Sequence, residues 1–551
     1  MQPNDELPRH QGEYDAGRDG DAPTQGRRVW LFRVVGLAAA AVVYVAMGAS
    51  DGLSPDARWV ATIGTLMAIW WMTEAIPLSA TSLLPIVLIP ALTDRTVAQA
   101  TAPYASSIVF LFLGGFLIAI AMEKWQLHRR IALATLARVG VEPRRIVLGM
   151  MLATGFLSMW VSNTATTLMM LPIGLSVLTL VIERSSRRQS GDEVADALAG
   201  GATIAEAVRN PDIRAFGVCL VLAIAWSASM GGLGTLLGSP PNAIVAGYAK
   251  TELGVEIGFL DWMMIGFPLA LSFILIGWFV MTRMLFRFNL DEIPGGKQMI
   301  HDQIAELGPV SQGERMVMIV FGSAAFLWVV PGLLNSFGFN IGPLGNLDDT
   351  AIAIAAGIAL FILPGEGRDR MVLEWKDAED GLPWGVLLLF GGGLSLASAV
   401  GASGLDQWFG SQVTGLGTLP VILLIAAVAT IILFLTEVTS NTATAATFIP
   451  ILGGVAMGIG ADPMSLIIPA AFAATCAFML PVGTPPNAIV FGTGYVTIAQ
   501  MARGGFVLNL IGIALITGFI YLLGGVAMGI AFGSGAEVVA PVVAPAAVPA
   551  G

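Results

Sequence analysis

Runs of apolar residues long enough to cross a bilayer dominate this chain. Trp30 to Met47, Trp262 to Met281, Met316 to Leu334 and Phe506 to Ala531 lie close to or above the roughly 20 residues that span hydrocarbon as a helix. Hydrocarbon offers no partner to a backbone N–H or C=O, so such runs must satisfy their own backbone. With hydrophobic residues at 56% and charged ones at 12%, the chain reads as a polytopic all-α membrane protein. The first run is too long and too late for a cleaved leader, and no clear cleavage site follows it, so it is expected to stay as a helix.

Two polar clusters recur inside these runs. Ser-Asn-Thr-Ala-Thr stands at Ser162 to Thr166 and again at Ser440 to Thr444, each followed by a proline, Pro172 or Pro450. Each has a distant partner loop, Gly238-Ser239-Pro240-Pro241-Asn242 for the first and Gly483-Thr484-Pro485-Pro486-Asn487 for the second. Hydroxyl and amide groups are costly in hydrocarbon unless something satisfies them. The duplication extends further: Val109 to Leu117 resembles Val386 to Leu394. The glycine pairs Gly114/Gly115 and Gly391/Gly392 stand 277 positions apart (391 − 114), and the Ser-Asn-Thr copies 278 (440 − 162). A nearly constant offset over this distance marks an internal repeat.

The net charge of −11 says little about partners, and no nucleic acid is expected. Orientation follows from Lys and Arg near helix ends. Clusters at Arg27 to Arg33, Lys124 to Arg145, Arg184 to Arg214, Arg283 to Arg315 and Arg368 to Lys376, with Arg503, fall on one side of about eleven spans. Arg58, Arg95 and Lys250 fall on the other. This arrangement predicts a cytoplasmic N-terminus, an external C-terminus and repeats inserted in opposite senses. No Lys or Arg occurs between Lys376 and Arg503.

Within each repeat the pattern predicts a short amphipathic helix along the interface, Gln126 to Gly140 and Gly404 to Val413, the latter with Trp408 as an anchor. The apolar stretches that follow, Ile146 to Ile182 and Leu419 to Gly453, would overshoot a bilayer as single helices. A re-entrant hairpin with the Ser-Asn-Thr cluster at its tip fits better. The next helix of each repeat, Phe216 to Tyr248 or Leu466 to Tyr495, is interrupted by Gly and Pro. The exposed backbone there is tolerated where it lines a cavity or binds an ion. Residues 1–28 and 536–551 read as loose ends.

The hairpin tips place hydroxyls, an amide and free N–H groups at half-helix N-termini, which favour a carboxylate. Two tips meeting near the midplane would hold the two ends of a small dianion. Ser158, Ser162, the Asn163 carbonyl and the Gly238 carbonyl offer hard oxygens for Na⁺, and Thr436, Asn441 and Gly483 stand at matching places. A lone Ser-Asn-Thr is usually an interhelical hydrogen bond and a lone Gly-Pro-Pro a kink; two copies of both, in register, point to a site. Glu437 is an intramembrane acid with Met159 in its place in the first copy, and two readings stay open: a functional acid, or a partner for helix ends. Glu74 reads as structural or interfacial, Cys219 and Cys476 as small core residues, and the glycine pairs as close helix packing. Three His in unrelated contexts argue against a metal centre.

Taken together, Trp71-Met-Thr-Glu-Ala-Ile-Pro77, both Ser-Asn-Thr motifs, the Gly-Ser-Pro-Pro-Asn loop and Phe478 to Val490 resemble the divalent anion–sodium symporter family over about residues 29 to 533; Thr475 stands where that family prefers Ser. The resemblance implies a homodimer in the plasma (inner) membrane that works as an elevator. It implies scaffold helices over 29–123, a transport segment over 124–261, scaffold and linking helices over 262–400, a second transport segment over 401–503 and a last transmembrane helix over 504–535. It implies one sodium site on Ser158, Ser162, Asn163 and Gly238, and another on Thr436, Thr439, Asn441 and Gly483. Implied substrate contacts are Ser162, Asn163, Thr164, Ser239, Ser440, Asn441, Thr442, Thr484 and Pro485. At Thr439 and Gly483 only backbone carbonyls are required.

The expected function is Na⁺-driven import of a C4-dicarboxylate such as succinate, malate or fumarate. Dicarboxylate exchange without net Na⁺ coupling, and sulfate or citrate as substrate, are the alternatives. A channel has no need of two closed hairpin tips. An enzyme needs a nucleophile–base pair or metal ligands, and the apolar runs contain no His and no acid pair.

Overall fold

The computed structural model describes residues 22–48, 52–140, 142–185, 208, 210–290, 296–337, 348–367 and 370–532. Most of the two ends expected to be loose, and Arg187, Arg188, Arg209 and Arg368 of the basic clusters, lie outside the described residues.

Helix α1 (Ala22–Met47) lies along α2 (Pro55–Thr73). Ser54 caps α2 by accepting from Ala57 N–H at 3.0 Å, ahead of Pro55 at the first helical position. Its end is set by Glu74, which adopts φ 48° so that the Ala75 N–H returns to Trp70 O at 3.3 Å. The Glu74 side chain is exposed, in line with a structural reading. Short helices α3 (Leu78–Thr81), α4 (Leu84–Leu92) and α5 (Val97–Thr101) lead to α6 (Ser107–Lys124). There Gly114 permits close approach to another helix: a methyl at Gly114 would meet the Ala353 carbonyl at 2.5 Å.

The first repeat continues with the amphipathic α7 (Leu127–Val139), then α8 (Pro143–Ser158) and α9 (Asn163–Ser185), the two arms of a hairpin. Then come α10 (Pro211–Gly231), a 3₁₀ turn at Leu236–Gly238 and α11 (Pro240–Glu252), the two halves of a broken helix. Helix α12 (Phe259–Val280) ends in a π-turn over Met281–Leu285. Helices α13 (Gly296–Glu306), α14 (Gln312–Ser336) and α15 (Asp349–Ile362) follow, and α15 packs on α6. An antiparallel ribbon of β1 (Pro364–Glu366) and β2 (Arg370–Met371) departs from an all-helical reading. It is built around Gly367, whose φ of 64° suits a tight turn.

The second repeat runs from α16 (Trp375–Gly381) and α17 (Trp384–Ser403) to the short α18 (Leu405–Gln412). Hairpin arms α19 (Val421–Thr436) and α20 (Asn441–Gly458) follow, then broken-helix halves α21 (Met464–Thr475) and α22 (Pro485–Gly492), and finally α23 (Ile498–Met528). The duplication is visible in the backbone itself. Gln126 (φ 54°) opens α7 and Gly404 (φ 74°) opens α18, again 278 positions apart (404 − 126). Glycine takes this conformation without penalty, whereas glutamine does not.

Among the described residues, eight helices are long and apolar enough to cross a membrane. Helix α21 is buried along its whole length and α10 along nearly all of it, so both are apolar on every face. The interfacial helices are fastened differently. At the start of α7, Arg130 donates to Glu314 at 2.5 and 3.1 Å and to the Gly308 carbonyl at 3.1 Å, while Trp125 donates to Val372 O at 2.9 Å. By contrast α18 rests on α20 at close backbone approach: a methyl at Gly410 would meet Gly458 Cα at 2.5 Å, and one at Gly454 would meet Asp406 Cα at 2.7 Å.

Candidate functional site

Each hairpin turns over a few residues, Met159 to Ser162 in the first and Glu437 to Ser440 in the second. The Asn of each tip then reaches across to the neighbouring broken helix. One end of the Asn163 carboxamide lies 2.5 Å from Ser158 Oγ, 3.2 Å from Ala228 O and 3.2 Å from Gly238 O. One end of the Asn441 carboxamide lies 2.6 Å from Thr436 Oγ1, 3.0 Å from Ala474 O and 3.1 Å from Gly483 O. The two sets are the same arrangement built twice, hydroxyl for hydroxyl and carbonyl for carbonyl.

With its nitrogen at that end, each amide donates to the surrounding oxygens. With its oxygen there, four oxygens converge and only the hydroxyl supplies a hydrogen. Such a cluster is repulsive alone and favourable around a cation. Hard cations of the size of Na⁺ or Ca²⁺ sit roughly 2.3–2.6 Å from each oxygen, which puts neighbouring ligands about 3.3 Å apart in an octahedron. The observed spacings are slightly tighter, and the donor set of neutral hard oxygens fits Na⁺. Glycine keeps the first cage open, because a methyl at Gly232 would lie 2.9 Å from Asn163 Oδ1 and 3.0 Å from Gly238 O.

The breaks that supply the carbonyls are fixed by a second pair of asparagines. Asn242 Nδ2 donates to Gly232 O at 2.9 Å and Thr235 O at 2.8 Å. Asn487 Nδ2 donates to Ala477 O at 3.0 Å and Leu480 O at 3.1 Å. Each is wholly buried and ties the two sides of its break together.

The repeats interlock crosswise. Arm α9 packs against α22 of the other repeat, and arm α20 against α11. Ser239, before α11, meets Thr475, at the end of α21, with 3.1 Å between hydroxyl oxygens. Four helices begin at the motif residues: α9 behind Ser162, α11 behind Ser239, α20 behind Ser440 and α22 behind Thr484. Each carries about half a positive charge. Ser162 Oγ accepts from Ala165 N–H at 3.2 Å and Thr484 Oγ1 from Asn487 N–H at 3.4 Å. Ser162 and Pro485 are exposed, Asn163, Thr164, Ser440, Asn441 and Thr442 half-exposed, and Ser239 and Thr484 buried. Thr439 turns its side chain away, to Leu435 O at 2.9 Å and Thr444 Oγ1 at 2.7 Å.

Glu437 distinguishes the second repeat. Its carboxylate is buried and accepts from Phe478 N–H at 2.8 Å, Met479 N–H at 3.0 Å, Leu480 N–H at 3.1 Å and Asn509 Nδ2 at 2.7 Å. Of the two readings left open by the sequence, the geometry favours a partner for backbone ends. The first break is a tight turn that satisfies its own N–H groups, with Leu233 N–H on Met230 O and Gly234 N–H on Gly231 O. The second is extended from Cys476 to Phe478 and leaves donors that only an added acceptor can meet. At the matching place in the first repeat, the Met159 carbonyl accepts from Thr235 Oγ1 at 2.5 Å.

Sequence reasoning missed the Ala228 and Ala474 carbonyls, since a backbone ligand leaves no mark on the side chain. It also missed Asn509, whose polarity inside the last apolar helix was the available signal.

Residues 28–529 match the family model described as the sodium:sulfate symporter transmembrane region. The chain is 41% identical over 476 residues to the sodium-dependent dicarboxylate transporter SdcS of Staphylococcus saprophyticus, a match covering 86% of this chain and 87% of that protein. It is 42% identical, with the same coverage, to SdcS of Staphylococcus aureus. Among solved structures, Neisseria gonorrhoeae MtrF, from a class of antimetabolite efflux pumps, superposes with a TM-score of 0.53 at 15% identity, covering 91% of this chain and 95% of that one. The Alcanivorax borkumensis YdaH transporter gives 0.54 at 14% identity, covering 92% and 99%. At these identities the two structures speak to the fold alone.

Proposed function

The chain belongs to the sodium:sulfate symporter family, and we propose that it is a secondary transporter that carries C4-dicarboxylates, such as succinate, malate or fumarate, together with Na⁺. The observation that carries this reading is the pair of matching oxygen clusters around Asn163 and Asn441, each formed by a hairpin tip and a broken helix.

One Na⁺ is held by Ser158, Ser162, Asn163 and the Gly238 carbonyl, with the Ala228 carbonyl added. The other is held by Thr436, Asn441 and the carbonyls of Thr439 and Gly483, with that of Ala474 added. Each cage needs both a hairpin tip and a broken helix, so an ion binds well only when the tip is seated. Seating the tips brings the N–H groups behind Ser162 and Ser440 toward those behind Ser239 and Thr484. The substrate dianion then sits among N-terminal partial charges, hydroxyls of Thr164 and Thr442, Pro485 and two cations. Because ions and anion stabilise the same seated arrangement, each raises the affinity of the other, which is the thermodynamic content of coupling.

In this reading α8–α12 and α19–α23 form the unit that moves, and α1–α6 with α14–α17 form the frame; α12, which the resemblance gave to the scaffold, and α23, which it left apart, join the moving unit because they pack on α8 and α10 and on α19 and α21. Helices α7 and α18 link the two in an elevator, in a homodimer of the plasma membrane with the N-terminus inside.

Cysteine placed at Ser239 or Thr484 tests the site. Succinate in Na⁺ is expected to slow modification by a small thiol reagent at least tenfold, while succinate in K⁺ leaves the rate unchanged. Equal labelling with and without succinate in Na⁺ would remove these contacts from the site.

A further inference from the structure

At the end of α12 remote from the hairpin contact with Phe259, the π-turn at Met281–Leu285 opens a cleft of about 350 Å³ between α8, α10 and the chain after α12. Arg144, Arg283 and Arg287 line it, with Asp212 and Asn289. Arg144 is fixed in place: its guanidinium donates to Phe288 O at 3.1 Å, and Trp278 Nε1 donates to Arg144 O at 2.8 Å. Asp212 spends one carboxylate oxygen on Asn289 N–H at 3.0 Å and forms no ion pair among the described residues. Arg283 and Arg287 are exposed and have no ion-pair partner among the described residues. Three guanidinium groups around one cleft, with one occupied carboxylate between them, call for an anion of more than one charge-bearing oxygen, and the planar fork of Arg suits phosphate.

The apolar surface above the cleft narrows the choice. Leu275 and Phe279 stand at an i, i+4 spacing on α12, and Arg283 follows four residues on in the π-turn, so the chain runs from apolar to basic there. Leu275 is 42% and Phe279 53% exposed, and Met284, beside Arg283, is 58% exposed. At 1.5 Å rise per residue, Leu275 stands about 12 Å from the level of Arg283. That is an exposed apolar stripe leading to a cluster of arginine, the order in which acyl chain and headgroup follow one another in a lipid. A free phosphate would use the cleft and leave the stripe unused.

We propose that this cleft binds the phosphate of an anionic phospholipid, whose acyl chains lie along Leu275 and Phe279. Arg283 and Arg287 contact the phosphate oxygens, and Arg144 closes the inner wall. The lipid seats on α12, which packs against hairpin arm α8 and broken-helix half α10.

Native mass spectrometry of the full chain in detergent, titrated with phosphatidylglycerol or phosphatidylcholine, tests this. Phosphatidylglycerol is expected to bind at concentrations roughly 25-fold below phosphatidylcholine, since each of Arg283 and Arg287 near the headgroup contributes about a fivefold preference. The Arg283→Gln/Arg287→Gln double variant is expected to lose that preference, and Arg283→Lys, which keeps the charge, to retain most of it. Phe279→Ser should weaken both lipids alike. Thermal melting confirms that each variant is folded. An unchanged phosphatidylglycerol preference in the folded double variant overturns the proposal. So does displacement of phosphatidylglycerol by millimolar inorganic phosphate, which would make this a soluble-anion cleft.

Discussion

Alanine in place of Asn163 or Asn441 is expected to lower Na⁺-driven dicarboxylate uptake by about 100-fold or more while the protein remains folded. Each carboxamide joins a hairpin tip to the carbonyls of its broken helix, at 3.0 to 3.2 Å, and in the second repeat Thr436 Oγ1 also donates to the Ala474 carbonyl at 3.0 Å. Its removal takes one oxygen from the cation cage. It also takes the amide donor from the Gly238 or the Gly483 carbonyl, at a cost of roughly 1–3 kcal/mol, in the state where the tip is seated; the Ala228 carbonyl keeps the Gly232 N–H and the Ala474 carbonyl keeps the Thr436 hydroxyl. The arms keep their packing, so melting temperature should fall by only a few degrees. Since a factor of 100 corresponds to about 2.7 kcal/mol, the lost hydrogen bonds or ion contact suffice for the effect. The two variants should also differ little from one another, because the cages are equivalent. Uptake and thermal melting on the same preparations check both halves, and wild-type uptake in either variant would remove that asparagine from the site.

Glu437→Gln is expected to be nearly as damaging, for a different reason. The carboxylate accepts from three backbone N–H groups and the Asn509 amide, and no basic side chain among the described residues forms an ion pair with it. A carboxylate has acceptor sites for all four; a glutamine turns an NH₂ group toward at least one of these donors. Loss of a hydrogen bond to a charged group costs roughly 1.5–3 kcal/mol, and two such losses would unseat the segment from Cys476 to Gly483. The Gly483 carbonyl belongs to the second cage and not the first. The variant should therefore weaken Na⁺ dependence through one cage and lower thermal stability by roughly 3–5 kcal/mol. Glu437→Asp, which keeps the charge on a shorter chain, should recover part of both. A Gln variant with unaltered melting and unaltered Na⁺ concentration dependence would contradict this role.

The hairpins and broken helices were legible because lipid makes polarity conspicuous. Ser-Asn-Thr or Pro-Pro in a soluble loop carries almost no information, but inside an apolar run it marks a place where the backbone leaves the helix. Duplication then turned a pair of weak signals into a site: the offset that relates Asn163 to Asn441 also relates Gln126 to Gly404. Other features stayed hidden for specific physical reasons. Ala228 and Ala474 contribute through carbonyls, which every residue has. The crosswise packing of α9 on α22 and α20 on α11 depends on tertiary arrangement rather than on local pattern. The role of Glu437 depends on the extended Cys476 to Phe478 segment, and its partner Asn509 lies 72 positions away. Likewise the Arg130–Glu314 tie, 184 positions apart, looks in the sequence like one more basic residue of an interfacial cluster. The small ribbon at residues 364–371 is too short to show the period-two alternation by which strands are recognised.

The most direct measurement is uptake of labelled succinate into proteoliposomes under an inward Na⁺ gradient, beside a K⁺ control. The two oxygen cages predict accumulation that requires Na⁺, is cancelled when the gradient is collapsed, and is competed by unlabelled dicarboxylates. Uptake that requires internal dicarboxylate and is the same in K⁺ would contradict the account: the protein would be an exchanger, and the oxygens around Asn163 and Asn441 would serve only to hold hairpin and broken helix together.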